Sequence, residues 1–126
     1  ALAYIQLKEF NKNESLRKEL FEMYIRSLMQ GKHKTFSNQL DNATSSVYSF
    51  PVILSSSMKD VKQYALRKEI EILPAYEDSC IALREEELEH CVQAKSLMLR
   101  CVLFPLYPRL GGAQSAKVAK VLATLP

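Results

Sequence analysis

Apolar residues recur along much of this chain at spacings of three and four, the period of a helix with one buried face. The first clear case starts near Asn11, where Asn11 and Glu14 form a candidate capping box. Leu16, Leu20, Met23, Tyr24 and Leu28 then fall on one side. Gly31 supplies a stop, followed by Lys32, His33 and Lys34, cations suited to the negative end of a helix dipole. Residues 1–10 read as a short helix or a packed arm.

A second helix is expected over residues 35–50, where Phe36, Leu40, Ala43, Val47 and Phe50 trace a heptad seam. A strand over SVYSFPVIL competes with it, and Pro51 argues against a central strand. The third helix opens with Ser57 and Asp60 in capping positions and carries Val61, Tyr64 or Ala65, Ile72 and Leu73. Pro74 either kinks it or begins the next helix.

The most apolar run is Cys91–Tyr107, CVQAKSLMLRCVLFPLY. It predicts the end of a fourth helix, from about 75 to 104, apolar over so much of its circumference that neighbours must surround it. Pro105, Pro108 and Gly111-Gly112 terminate it. A basic amphipathic helix over 113–125 places Val118, Val121, Leu122 and Leu125 on one side, possible anchors in a partner's groove. The expected fold is therefore all-α: an antiparallel bundle of four or five helices around a buried central helix near residues 91–104. It forms one domain over 1–126, excised from a larger protein, with the last helix at its periphery.

Three glycines are too few for a turn-rich all-β fold. The net charge of +3 does not by itself imply nucleic acid, but its distribution is uneven. Residues 75–90 hold six acids and one base, whereas 91–126 hold five bases and no acid, blocks that suit partner docking. Cys80, Cys91 and Cys101 lie on one expected helix, too far apart to bridge one another. Unpaired thiols indicate a reducing, intracellular setting, cytoplasmic or nuclear. Two glycosylation sequons, Asn13-Glu14-Ser15 and Asn42-Ala43-Thr44, point the other way.

Little chemistry stands out. Glu87 and His90 have the i, i+3 spacing of a di-iron bundle ligand pair, yet no second Glu-x-x-His exists. The cysteines lack close zinc-site pairing, and His90 beside Cys91 points about 100° away on a helix. No glycine loop cradles phosphate. These residues predict a non-enzymatic helical interaction or scaffold domain of a larger intracellular protein, with no cofactor and no metal. Its partner is another protein or a second copy, met through Phe36, Leu40, Val47, Phe50, Val118, Val121 and Leu122. The alternatives are a secreted four-helix ligand and an anion-binding module for nucleic acid or lipid. On the interface reading, Leu122→Asp abolishes association and leaves the helical circular dichroism intact.

Overall fold

A computed structural model describes residues 2–36, 46–79, 82 and 90–126. Among the described residues, five helices and three strands follow one another as α1 (Leu2–Lys8), α2 (Phe10–Leu28), β1 (Phe50–Ile53), α3 (Met58–Arg67), β2 (Leu73–Pro74), α4 (Val92–Arg100), β3 (Cys101–Phe104) and α5 (Gly112–Ala123). The fold is α/β, and the expected all-α bundle is wrong.

The central element is the strand β3. It pairs antiparallel with β1 through Phe50 to Phe104 and Val52 to Val102, and with β2 through Leu73 to Leu103. The sheet order is β1-β3-β2, so β1 and β2 run parallel with β3 between them. Backbone bonds lengthen the ladder on both sides, from Leu54 N–H to Arg100 O at 2.8 Å and from Ala75 N–H to Cys101 O at 3.0 Å. The central helix expected near 91–104 is thus a short α4 and a four-residue strand. A run that is apolar all round describes a strand covered on both faces as well as it describes an enclosed helix.

One sheet face carries Phe50, Val52, Val102 and Phe104, all buried. Against it pack Tyr24 and Leu28 of α2, Val61 and Ala65 of α3, and Val118, Val121 and Leu122 of α5. The Phe50 ring meets Phe21 and Tyr24 edge-on, with centroids 5.2 and 5.3 Å away. Such geometry aligns ring edges with ring faces and adds to the gain from burial. The Tyr24 hydroxyl is buried without a hydrogen-bond partner among the described residues, and burial raises its pKa.

Helices α2, α3 and α5 follow the sequence periodicity, while their ends depart from it. Asn11 lies inside α2, so the expected capping box does not form, and Glu14 turns outward to Ser46 instead. The end of α3 needs no glycine. Glu69 adopts φ 56°, and Ile70 N–H reaches back to Ala65 O at 2.9 Å while Glu69 N–H reaches Leu66 O at 2.8 Å. This Schellman-type closure points the chain toward β2 and buries Ile70. Pro51, awkward in a central strand, lies in β1 at the sheet's edge.

His33 ties three segments together. Its Nδ1 accepts the Ser55 N–H at 3.1 Å, which leaves Nε2 to donate to the Pro126 oxygen at 3.0 Å. Burial lowers its pKa from 6.5, and Lys32 adds to that effect. The neutral ring therefore contributes stability that is fully present above pH 6.5 and is lost as pH falls toward the folded-state value. Urea midpoints measured at successive pH values should decline below pH 6.5, and His33→Gln should flatten that decline. An unchanged profile in the variant would rule out this role.

Among the described residues no helix is long and apolar enough to cross a membrane. Helix α1 is unusual in another way. Leu2, Tyr4, Ile5 and Leu7 are all exposed, and no residue of the helix is buried.

Candidate functional site

The sheet's second face holds Pro51, Ile53, Cys101 and Leu103, offset by one residue from the core set. A cleft of about 280 Å³ opens on this face. Pro51 and Leu103 form its floor, Phe21 of α2 one side, and Thr35, Phe36 and residues 46–49 the rim. Ala75 and Tyr76, directly after β2, close the opposite side. Strand ends deliver these groups: Tyr48 and Ser49 precede β1, and Tyr76 follows β2.

Among the described residues, none that lines the cleft carries a charge. The polar groups are hydroxyls from Thr35, Ser46, Ser49, Tyr48 and Tyr76, interleaved with aromatic and aliphatic surface. Thr35 Oγ1 donates to Pro51 O at 2.7 Å, fixing the rim to β1. Burial raises the Tyr76 pKa, and Cys101 and Tyr48 nearby push it the same way. Tyr76 is therefore held as a neutral hydroxyl that can donate or accept. The Cys101 thiol is fully buried, and that burial raises its pKa as well. A cleft of this kind suits a neutral, hydroxyl-rich ligand with apolar ring faces.

A larger groove of about 610 Å³ shares Tyr48, Ser49 and Leu103 with this cleft. It runs past Tyr107 and Gln114 to Glu69 and Glu71, which give it acidic walls, and Glu69 is itself paired with Lys117.

The seven residues expected at an interface divide sharply. Phe50, Val118, Val121 and Leu122 are interior and covered by the chain itself. Phe36 and Val47 line the cleft, with Val47 also packed on the core, and Leu40 lies outside the described residues. Glu87 lies outside them too, while His90 is exposed. Among the described residues no three His, Cys, Asp or Glu side chains gather where a metal could sit. Thr35, Tyr48, Ser49 and Tyr76 were missed by the sequence reading. Their signal was hydroxyl and aromatic residues flanking short apolar runs.

Comparison with known proteins changes the functional picture. The chain superposes on the aminotransferase TlmJ from Streptoalloteichus hindustanus with a TM-score of 0.78 at 16% identity, covering 95% of this chain and 33% of that one. Spr1654 from Streptococcus pneumoniae, assigned as a sugar aminotransferase and solved in its PMP form, gives 0.78 at 12% identity, covering 95% and 32%. A protein from Bacillus cereus assigned as a PLP-dependent aminotransferase gives 0.67 at 16%, covering 94% and 34%. The chain thus spans about a third of the length of these structures. No curated protein matches the sequence.

Pyridoxal phosphate is held through a lysine amine, with an acidic or basic partner for its ring nitrogen. Every lysine of this chain is exposed except Lys117, which is half-buried and donates to Glu69. The residues present do not fit the anchoring of that cofactor. The sequence model of the DegT/DnrJ/EryC1/StrS aminotransferases nevertheless runs over residues 1–123. That match overturns the expected non-enzymatic scaffold and, with it, the secreted-ligand and anion-binding alternatives. Matched from residue 1 to residue 123, the chain belongs to the DegT/DnrJ/EryC1/StrS aminotransferase family.

Proposed function

We propose that this chain is one domain of a pyridoxal-phosphate-dependent aminotransferase acting on a keto sugar, and that it supplies the wall on which the sugar lies. The family match over residues 1–123 carries this reading. The hydroxyl-rich lining of the cleft supports the substrate class, since hydroxyls among aromatic surfaces match the alternating polar edge and apolar face of a sugar ring. Tyr76, Thr35 and Ser49 exchange hydrogen bonds with sugar hydroxyls, and Phe36 and Leu103 cover an apolar face. The cofactor's lysine belongs to residues beyond these 126.

Helix α1 supports the same division of labour. A helix with apolar residues on several sides and none buried needs a covering surface. We assign that surface to the rest of the enzyme, the part of its relatives' length that this chain does not span. The free thiols of Cys91 and Cys101 fit a reducing compartment.

Borohydride reduction in the presence of pyridoxal phosphate tests the reading. A family-length polypeptide containing this chain should retain one cofactor covalently and transfer an amino group from L-glutamate to a keto sugar. The chain alone should show no saturable incorporation. Saturable labelling of a lysine within the chain, or no amino transfer by the longer polypeptide, would defeat the proposal.

A further inference from the structure

Glu14 does not line the cleft, yet it holds one of its walls. It sits half-buried on α2, two helical turns before Phe21, on the face that Phe21 presents to the cleft. Ser46 Oγ donates to both Glu14 carboxylate oxygens, at 2.9 and 3.3 Å. Val47 N–H also reaches Oε1, at 3.5 Å. The segment so gripped, Ser46 to Ser49, lies outside the helices and strands, makes no ladder hydrogen bonds among the described residues, and has all four of its residues lining the cleft. Tyr48 is 82% exposed, so packing does little to fix it.

From this geometry we infer that Glu14 is a positioning residue for the substrate: it fixes the 46–49 wall, and through it the Tyr48 and Ser49 hydroxyls, without touching substrate itself. The inference rests on the cleft being the sugar site. Two donors, the Ser46 hydroxyl and the Val47 N–H, converge on this one carboxylate from the two residues that lead into the wall. A hydrogen bond to a charged acceptor is stronger than a neutral one. Charge alone is not needed, however, because a glutamine carbonyl at the same place still accepts from Ser46 Oγ. Helix α2 is also anchored independently of this contact through Tyr24 and Leu28 in the core. Removing the carboxylate therefore frees the wall and leaves the fold in place.

The test uses the family-length enzyme loaded with pyridoxal phosphate, in wild-type, Glu14→Ala and Glu14→Gln forms. Hydrogen exchange of residues 46–49 and the kinetics of amino transfer, with L-glutamate saturating and the keto sugar varied, are read side by side. Glu14→Ala should speed exchange in 46–49 and raise KM roughly tenfold, the scale of one charged hydrogen bond. The maximal rate and the thermal midpoint should change little, and Glu14→Gln should recover most of the KM. Unchanged exchange would overturn the grip on the wall. Faster exchange with unchanged KM would overturn the link to substrate. If the wild-type enzyme transfers no amino group, the functional reading fails, while the exchange data still decide whether Glu14 orders the wall.

Discussion

Leu122→Asp should unfold the protein. Leu122 is fully buried on α5 among the side chains that cap the sheet. Full burial of a leucine contributes about 1.5–3 kcal/mol. An aspartate there loses that term and leaves a carboxyl group without partners, for a total of about 4 kcal/mol or more. Domains of this size have only about 5–15 kcal/mol to lose. Far-ultraviolet circular dichroism should show most of the helical signal gone at 37 °C, or a urea midpoint far below wild type. A variant that kept its helices and lost only self-association would mean that α5 is an interface and that the core described above is wrong.

Phe50→Ala should come close to it in effect, with a local signature of its own. The ring is fully buried at the head of β1, opposite Phe104, and touches Phe21 and Tyr24 edge-on. Truncating a buried phenylalanine costs about 3–5 kcal/mol, because neighbours collapse only partly into the void. Phe21 also forms one side of the cleft, so its loss of support should loosen the site as well as the core. Equilibrium unfolding gives the stability term. Hydrogen exchange around residues 21 and 46–50 gives the local one. A loss below about 1 kcal/mol would show that the three rings do not form a packed unit.

The helices were legible wherever a long segment kept one period. Tyr24 and Leu28, Val61, and Val118, Val121 and Leu122 were identified from spacing and are buried; of the alternatives Tyr64 and Ala65, Ala65 is the buried one. The strands were not. Phe50 and Val52 of β1 and Leu54 just beyond it alternate with less buried neighbours, but Phe36, Leu40, Ala43 and Val47 upstream supplied a rival heptad ending on the same Phe50. Four residues are too few to outvote sixteen when periodicity is the only witness. The strand β3 was absorbed into a helix for a similar reason: α4 leads directly into it with no proline or glycine between them.

The site was legible only in fragments. Phe36 and Val47 were singled out for their apolar character and do line the cleft, while Leu40 and Ala43 of the same expected seam lie outside the described residues. Tyr48 and Tyr76 lie 28 positions apart in sequence and come together only because β1 and β2 flank the same strand. Sheet order is a long-range property, and no local pattern encodes it. The reaction was out of reach for a plainer reason. None of this chain's lysines is desolvated, so the group that anchors a pyridoxal cofactor leaves no mark in this sequence.

The place of β3 in the sheet also governs when the molecule can fold. The strand that joins the other two is the last of the three to be synthesised. Until residues 101–104 leave the ribosome, β1 and β2 have no ladder partner, and their apolar residues stand unpaired beside the exit tunnel. One early contact is available to β1: the Lys34–Ile53 bridge, reinforced by Thr35 on Pro51, occupies its outer edge with chain already made. The nascent strand is thereby shielded on one side while the other waits. Sheet formation becomes a single late event that depends on distant parts of the sequence.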